Sequence, residues 1–148
     1  MEITRHFTVT TTIVCKNKVL LHFHKSLNIW IPIGGHIDRD ELPEEAAVRE
    51  AKEEAGLVIS LYNPDKKVGV KDVKQLIMPM HIMLHDINKF HQHIDFSFYA
   101  TADTLDLKPA DGETNNLKWF LKEEIEKEKM PDNAKILALE ALRILGSD

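Results

Sequence analysis

The chain has 148 residues, 43% of them hydrophobic and 29% charged, which is one domain's worth of ordinary globular sequence (1–148). That balance excludes disordered, collagenous and low-complexity classes. No run approaches the roughly 18 apolar residues of a membrane span, and Met1-Glu2-Ile3-Thr4-Arg5-His6 lacks the basic and apolar regions of a secretory signal. One cysteine, Cys15, excludes an intrachain disulfide or a cysteine-based zinc site and makes a reducing cytoplasm the expected compartment. The net charge is −5, and it is local: residues 35–57 hold Asp38, Asp40, Glu41, Glu44, Glu45, Glu50, Glu53 and Glu54 against Arg39, Arg49 and Lys52, while the rest of the chain balances. A neutral body with one acidic segment is not the basic face of a nucleic-acid binder. It suits a hard divalent cation, or else a solvated acidic helix face.

In chain order, Phe7–Cys15 is rich in Thr, Val and Ile and predicts a strand, with Lys16-Asn17-Lys18 turning into a partner at Val19–His24. An extended piece through Trp30–Ile33 enters Gly34-Gly35, and residues 36–42 form a polar loop. Pro43–Ala55 is a helix: Pro43 suits its first position, Glu44 and Glu45 the positive end of its dipole, and Gly56 a left-handed stop, although Leu42 is a poor cap. Leu57–Leu61 is a short strand, and residues 62–74 are irregular, with Lys66, Lys67, Lys71 and Lys74 in a solvated loop.

Two alternating segments follow. In the first, Leu76, Met78, Met80, Ile82 and Leu84 share a face opposite His81 and His85; in the second, Phe90, Ile94, Phe96 and Phe98 oppose His91, His93, Asp95 and Tyr99. A period of two predicts half-buried strands with the apolar faces inward. Leu105–Thr114 is a loop, Leu117–Leu121 a strand around Trp119, and Glu123–Lys129 and Asp132–Leu145 are helices, the second with Ile136, Leu137, Leu139, Leu142 and Leu145 as its apolar side. Strands around a central helix, with helices last, predict an α/β (α+β) layered fold.

At about 100° per residue, Glu50, Glu53 and Glu54 fall on one arc of the central helix, beside an arc of Ala47, Val48, Ala51 and Ala55 that suits close packing on a sheet. Glu50 and Glu54 repel at i,i+4 unless a cation lies between them. The surrounding text reads Gly35-His36-Ile37-Asp38-Arg39-Asp40-Glu41, seven residues, then Arg49-Glu50-Ala51-Lys52-Glu53-Glu54-Ala55-Gly56-Leu57. This resembles the Nudix box: Gly, five residues, Glu, seven residues, Arg-Glu, an aliphatic, any residue, Glu-Glu, any residue, Gly, an aliphatic. Every strictly specified residue matches, at chance odds per start position on the order of one in a hundred million. Ala51 is smaller than the usual aliphatic, and Trp30-Ile31-Pro32-Ile33-Gly34-Gly35 resembles the strand that feeds the box, with its proline one residue early.

The resemblance implies an α/β/α sandwich with a mixed sheet and hydrolysis of a nucleoside diphosphate linked to another moiety, with Mg²⁺ or Mn²⁺. It implies that Glu50, Glu53, Glu54 and the Gly34 carbonyl hold metal, that Arg49 orients the glutamates, and that Gly35 and Glu41 anchor the loop. The base is Glu53 in part of the family and a later loop acid in another part; Glu113 resembles that later position. His91, His93 and Asp95 on one strand face are candidate substrate contacts or a second metal site, and Trp30 is a candidate stacking residue, as are Tyr99 and Trp119, with Trp119 read as core. The expected partner is a nucleotide-type small molecule, with no membrane and no nucleic acid beyond a capped RNA end, and a homodimer is possible. A Nudix-fold ligand sensor without hydrolysis is the alternative; the intact carboxylates and the lack of an appended recognition helix disfavour it. Cys15 lies far from where the isomerase branch of the fold keeps a catalytic cysteine. The box does not specify the group beyond the pyrophosphate.

Overall fold

A computed structural model describes residues 1–113 and 116–147. The β-branched run near the start forms β1 (Thr4–Cys15), longer than its apolar pattern predicted because Thr4–His6 continue the ladder. Lys16 and Asn17 both take positive φ, 48° and 61°, the two-residue reversal whose twist matches a hairpin. Lys18, expected in the turn, pairs with Cys15 and opens β2 (Lys18–His24). Pro32 has no N–H for a ladder and divides the next extended piece into β3 (Ile29–Ile31), paired with β2, and β4 (Ile33–His36), paired with β1.

The central helix α1 spans Pro43–Ala55 as predicted. Leu42 offers no side-chain acceptor, but its N–H donates to Glu45 Oε1 at 2.8 Å, and Gly56 closes the helix at φ 69° and ψ 22°. Four further strands follow: β5 (Ile59–Leu61), β6 (His81–Asn88), β7 (His91–Ala102) and β8 (Leu117–Leu121). The chain ends in α2 (Lys122–Lys127) and α3 (Asp132–Leu145). Helix α2 stops two residues earlier than predicted, where Glu128 turns extended ahead of Met130-Pro131. Thr114, the predicted end of the loop before β8, lies outside the described residues.

The sheet runs β3-β2-β1-β7-β5, with β8 on β2, β4 on β1 and β6 on β7. Only β1 and β7 pair in parallel, from Thr4 opposite His91 to Val14 opposite Thr101; the other described pairs are antiparallel, so the sheet is mixed. Successive residues of β1 and β7 face opposite layers. On one side, Val9, Ile13, Ile33, Phe98 and Ala100 meet Ala46, Ala47, Ala51 and Ala55 of α1. On the other, Val14, Val19, Leu21, Tyr99 and Phe120 meet Ile125, Leu137, Ala138 and Ala141 of α2 and α3. The result is the expected α/β/α sandwich.

Four inward faces differ from the sequence reading. Val48 is 42% exposed and Ala46 takes its place against the sheet; Ile136 of α3 is 64% exposed, because alanines at 134, 138 and 141 make the close contact. In β6 the expected burial is inverted: Ile82 and Leu84 are 62% and 59% exposed, while His81, Met83 and His85 lie half-buried. Leu76 and Met78 precede the strand. In β7 the histidine-bearing face is covered as well, and Asp95, at 5% exposure, is more buried than Ile94.

Candidate active site

Helix α1 and strand β4 build the site together. Gly34 and Gly35 pair with Thr10 and Val9 of β1. A Cβ at Gly34 would collide with the Val9 carbonyl, and one at Gly35 with the Glu50 carboxylate, so bare backbone is what lets strand and helix approach here. The Gly34 N–H donates to Glu54 Oε2 at 3.1 Å.

Arg49 is the centre of the carboxylate group. Its Nε and Nη2 form a fork on Glu41 at 2.6 and 2.9 Å, its Nη1 reaches Glu50 at 3.0 Å and Glu53 at 3.2 Å, and its Nη2 also donates to the His36 carbonyl at 3.0 Å. Such planar, bidentate geometry is specific to a guanidinium. Glu41 in turn accepts from the Asp38 N–H, which ties the loop down. Exposure divides the glutamates: Glu50 and Glu41 are 14% and 13% exposed, Glu53 46%.

The electrostatics follow from that crowding. The Arg49 hydrogen bond holds Glu41 below the usual carboxylate range, and Arg49 itself is pushed well above its ordinary value, mainly by Glu41. Burial raises Glu50 in spite of Arg49. Burial, then the charge of Glu50, pushes Glu54 up to about 8, against the pull of the Gly34 N–H. Glu113 adds repulsion to both Glu50 and Glu54, so the structure brings this loop acid to the box glutamates. Its loop is fastened to the end of α1: the Lys108 N–H donates to the Ala55 carbonyl and the Ala110 N–H to the Glu53 carbonyl, both at 2.8 Å. A Cβ at Gly56 would strike the Lys108 carbonyl, the one sequence signal of this docking. A carboxylate group with Arg49 as its central cation, and with Glu54 unable to ionise freely near neutrality, has the donor chemistry of a hard divalent cation site.

Gly34 and Gly35 also line a cleft of about 560 Å³ between the sheet and α3, which Thr8, His22, His36, His93 and Asp95 enter from the strands and Asn133 from α3. Asp95 accepts from Thr8 Oγ1 at 2.8 Å. His91 lies outside the cleft lining, beside His6 with their ring nitrogens 2.8 Å apart. Trp30 packs edge-on against Phe120, ring centroids 4.9 Å apart, rather than lining the cleft; Tyr99 is buried and donates to Glu140 at 2.7 Å, and Trp119 donates to the Leu105 carbonyl at 2.9 Å. Cys15 is buried and packs as a small apolar residue. Sequence reasoning missed His6 and His36, because their proximity to His93 arises from strand pairings across distant parts of the chain.

The family model of the NUDIX domain matches residues 4–139. The chain belongs to the Nudix family. A solved Nudix-family hydrolase from Clostridium perfringens is 47% identical, covers 97% of this chain and 99% of its own, and superposes with a TM-score of 0.88, which makes this protein a Nudix hydrolase. Two more distant structures share the Nudix fold. A C. elegans Ap4A hydrolase binary complex is 20% identical, covers 95% of this chain and 97% of its own, and gives a TM-score of 0.71. The Nudix domain of Shewanella oneidensis NrtR complexed with ADP ribose is 17% identical, covers 96% of this chain and 89% of its own, and gives 0.67. No curated protein sequence matches the chain.

Proposed function

We propose that this Nudix hydrolase cleaves the pyrophosphate bond of a nucleoside diphosphate joined to a second moiety, using Mg²⁺ or Mn²⁺ in the cytoplasm. The observation that carries the reading is the carboxylate set of α1: Glu50 and Glu53 held by Arg49, and Glu54 beside them on the Gly34 N–H, pushed up to about 8 by burial and by its acidic neighbours. A polyanionic substrate is repelled by such a set unless cations intervene. Glu50, Glu53, Glu54 and the Gly34 carbonyl are the ligands in this proposal. When bound, the cation neutralises the phosphates and acidifies the attacking water.

The chain's own residues do the positioning. Arg49, fixed by its fork on Glu41, keeps Glu50 and Glu53 on one side of α1, and the Gly34 N–H fixes the Glu54 carboxylate. Water attacks phosphorus, the bridging P–O bond breaks, and the proton passes to a carboxylate of this group. Glu53, the open member of the set, and Glu113, on the loop fastened to α1, are the two acceptors offered. The cleft beside Gly34 and Gly35 takes the rest of the substrate against His22, His36, His93 and Asp95. The completeness of the carboxylate set favours hydrolysis over ligand sensing.

The test is a panel of ADP-ribose, dinucleoside polyphosphates, nucleoside triphosphates, nucleotide sugars and capped RNA, with Mg²⁺ or Mn²⁺, scored for phosphate and nucleoside monophosphate. Turnover of at least one class that stops in excess EDTA is expected. Undiminished turnover in EDTA refutes the metal-dependent reading.

A further inference from the structure

A second group of ligands lies on the sheet, apart from the box glutamates. His6 of β1 sits opposite His93 of β7, and Thr4 opposite His91, in the parallel ladder. Residues two apart on a strand share a face, so His91 and His93 project on the same side, as does His6 beside them. One ring nitrogen from each of the three lies within 4.8 Å of the others. The ring centroids of His6 and His91 are 4.6 Å apart and those of His91 and His93 4.9 Å. A fourth imidazole, His36 of β4, meets the His93 ring edge-on at 4.9 Å.

The chemistry of this cluster is that of neutral ligands with lone pairs to offer. His93 Nε2 is buried and has no hydrogen-bond partner among the described residues. Buried ring nitrogens are ordinarily satisfied, so an orphaned one within a ring of imidazoles points to a ligand. Burial, and then the neighbouring His36, His91 and His6, hold His93 below its ordinary value, which keeps it unprotonated near neutral pH. His6 and His91 share a single hydrogen-bonding proton between facing nitrogens, which a metal ion would displace. Asp95 follows on the same face, buried and fixed by Thr8, and supplies a negative charge beside the cluster.

We propose that His6, His91 and His93 form a binding site for a transition metal ion of the Zn²⁺ class, with water in the fourth position. Three imidazoles around tetrahedral zinc hold their nitrogens about 3.4 Å apart, given Zn–N bonds of about 2.0–2.1 Å. The observed nitrogens, 2.8 Å apart between His6 and His91 and all within 4.8 Å, bracket that spacing, and side-chain rotation brings them to it. Neutral imidazoles select Zn²⁺, Co²⁺ or Ni²⁺, whereas the carboxylates of α1 suit Mg²⁺ or Mn²⁺, so the two sites sort metals by ligand chemistry. The inference does not rest on the proposed hydrolysis, although His93 also lines the cleft assigned to substrate.

The experiment is a titration of chelator-treated full-length protein with Co²⁺, read by its visible absorption, with Zn²⁺ and Mg²⁺ as competitors. The double variant Glu50→Gln/Glu54→Gln removes two of the three carboxylates proposed as ligands on α1. Expected is one tight Co²⁺ site with the strong bands of tetrahedral coordination, retained in that double variant, displaced by Zn²⁺ and unaffected by Mg²⁺. His93→Ala weakens it by about 100-fold or more. His6→Asn, at an exposed position that leaves packing intact, does the same, while His24→Ala does not. Absence of tetrahedral bands at stoichiometric Co²⁺ overturns the proposal. So do bands lost with the glutamates and kept in His6→Asn.

Discussion

Replacing Glu54 by glutamine isolates the charge that the box helix cannot easily carry. In the metal-free fold Glu54 keeps its proton to about pH 8, against an ordinary 4.5, because it is buried beside Glu50. At about 1.4 kcal/mol per pH unit, that gap bounds the cost of ionising it in the folded state at about 5 kcal/mol. Side-chain relaxation and water entry reduce the working figure to about 2–3 kcal/mol. A raised folded-state value means that the stabilising contribution is whole below pH 4.5 and is lost as the pH climbs through 8. Glutamine has the same shape, keeps an oxygen for the Gly34 N–H and never ionises. In EDTA at pH 8 to 8.5, E54Q is therefore expected to melt about 5–10 °C above wild type, and at pH 5 the two should nearly coincide. The two proteins differ in this one group, so the difference between the two melting curves reports Glu54. Mg²⁺ at about 100 times its Kd should close the gap, because it adds about 2.7 kcal/mol to the protein that binds it, close to the figure that separates the two. Parallel Tm-against-pH curves for the two proteins in EDTA would refute the reasoning.

Glu53→Gln should lower kcat by at least about 100-fold at saturating metal while the protein stays folded, and a kcat within threefold of wild type removes Glu53 from the chemistry. Glu113→Gln should lower kcat by a smaller factor and leave metal affinity unchanged if it accepts the proton; recovery as Mn²⁺ is raised would make it a ligand, and a profile equal to wild type leaves the base on α1. Arg49→Lys keeps the charge but loses the fork on Glu41 and the reach to Glu50, Glu53 and the His36 carbonyl. It should lower kcat/KM by about 10- to 100-fold, and activity equal to wild type would mean that the charge alone suffices.

What the sequence made legible was local. Helix α1 was placed at both ends because its signals, Pro43 at the start and Gly56 in the left-handed stop, act within one turn. The box spacing likewise lies within one loop and one helix. Strand β6 shows the limit. Alternation states which residues share a face, not which face finds a cover. The Ile82–Leu84 face is left open to solvent, while Met83 and Met80 pack toward the α3 layer and His81 contacts Glu140 at 2.6 Å. The histidine cluster was legible only in part, for a related reason: the spacing of His91 and His93 puts them on one strand face, but it does not bring His6 to them. The parallel ladder of β1 and β7 joins residues more than eighty positions apart, and nothing in the spacing of His6, His91 and His93 announces that pairing.

Strand β4 explains why two groups of such different chemistry lie side by side. Its three consecutive residues each serve α1: Gly34 donates to Glu54, Gly35 leaves room for the Glu50 carboxylate, and His36 offers its carbonyl to Arg49. The first two need no side chain: a Cβ at Gly34 would strike the Val9 carbonyl, and one at Gly35 would exclude the Glu50 carboxylate. The third needs only its backbone there, so its imidazole is free to turn to the sheet, against His93. The backbone of residues 34–36 thus belongs to the carboxylates while the first side chain after the diglycine belongs to the histidines. A disturbance of His36 reaches both groups, through the Arg49 hydrogen bond on one side and ring contact on the other.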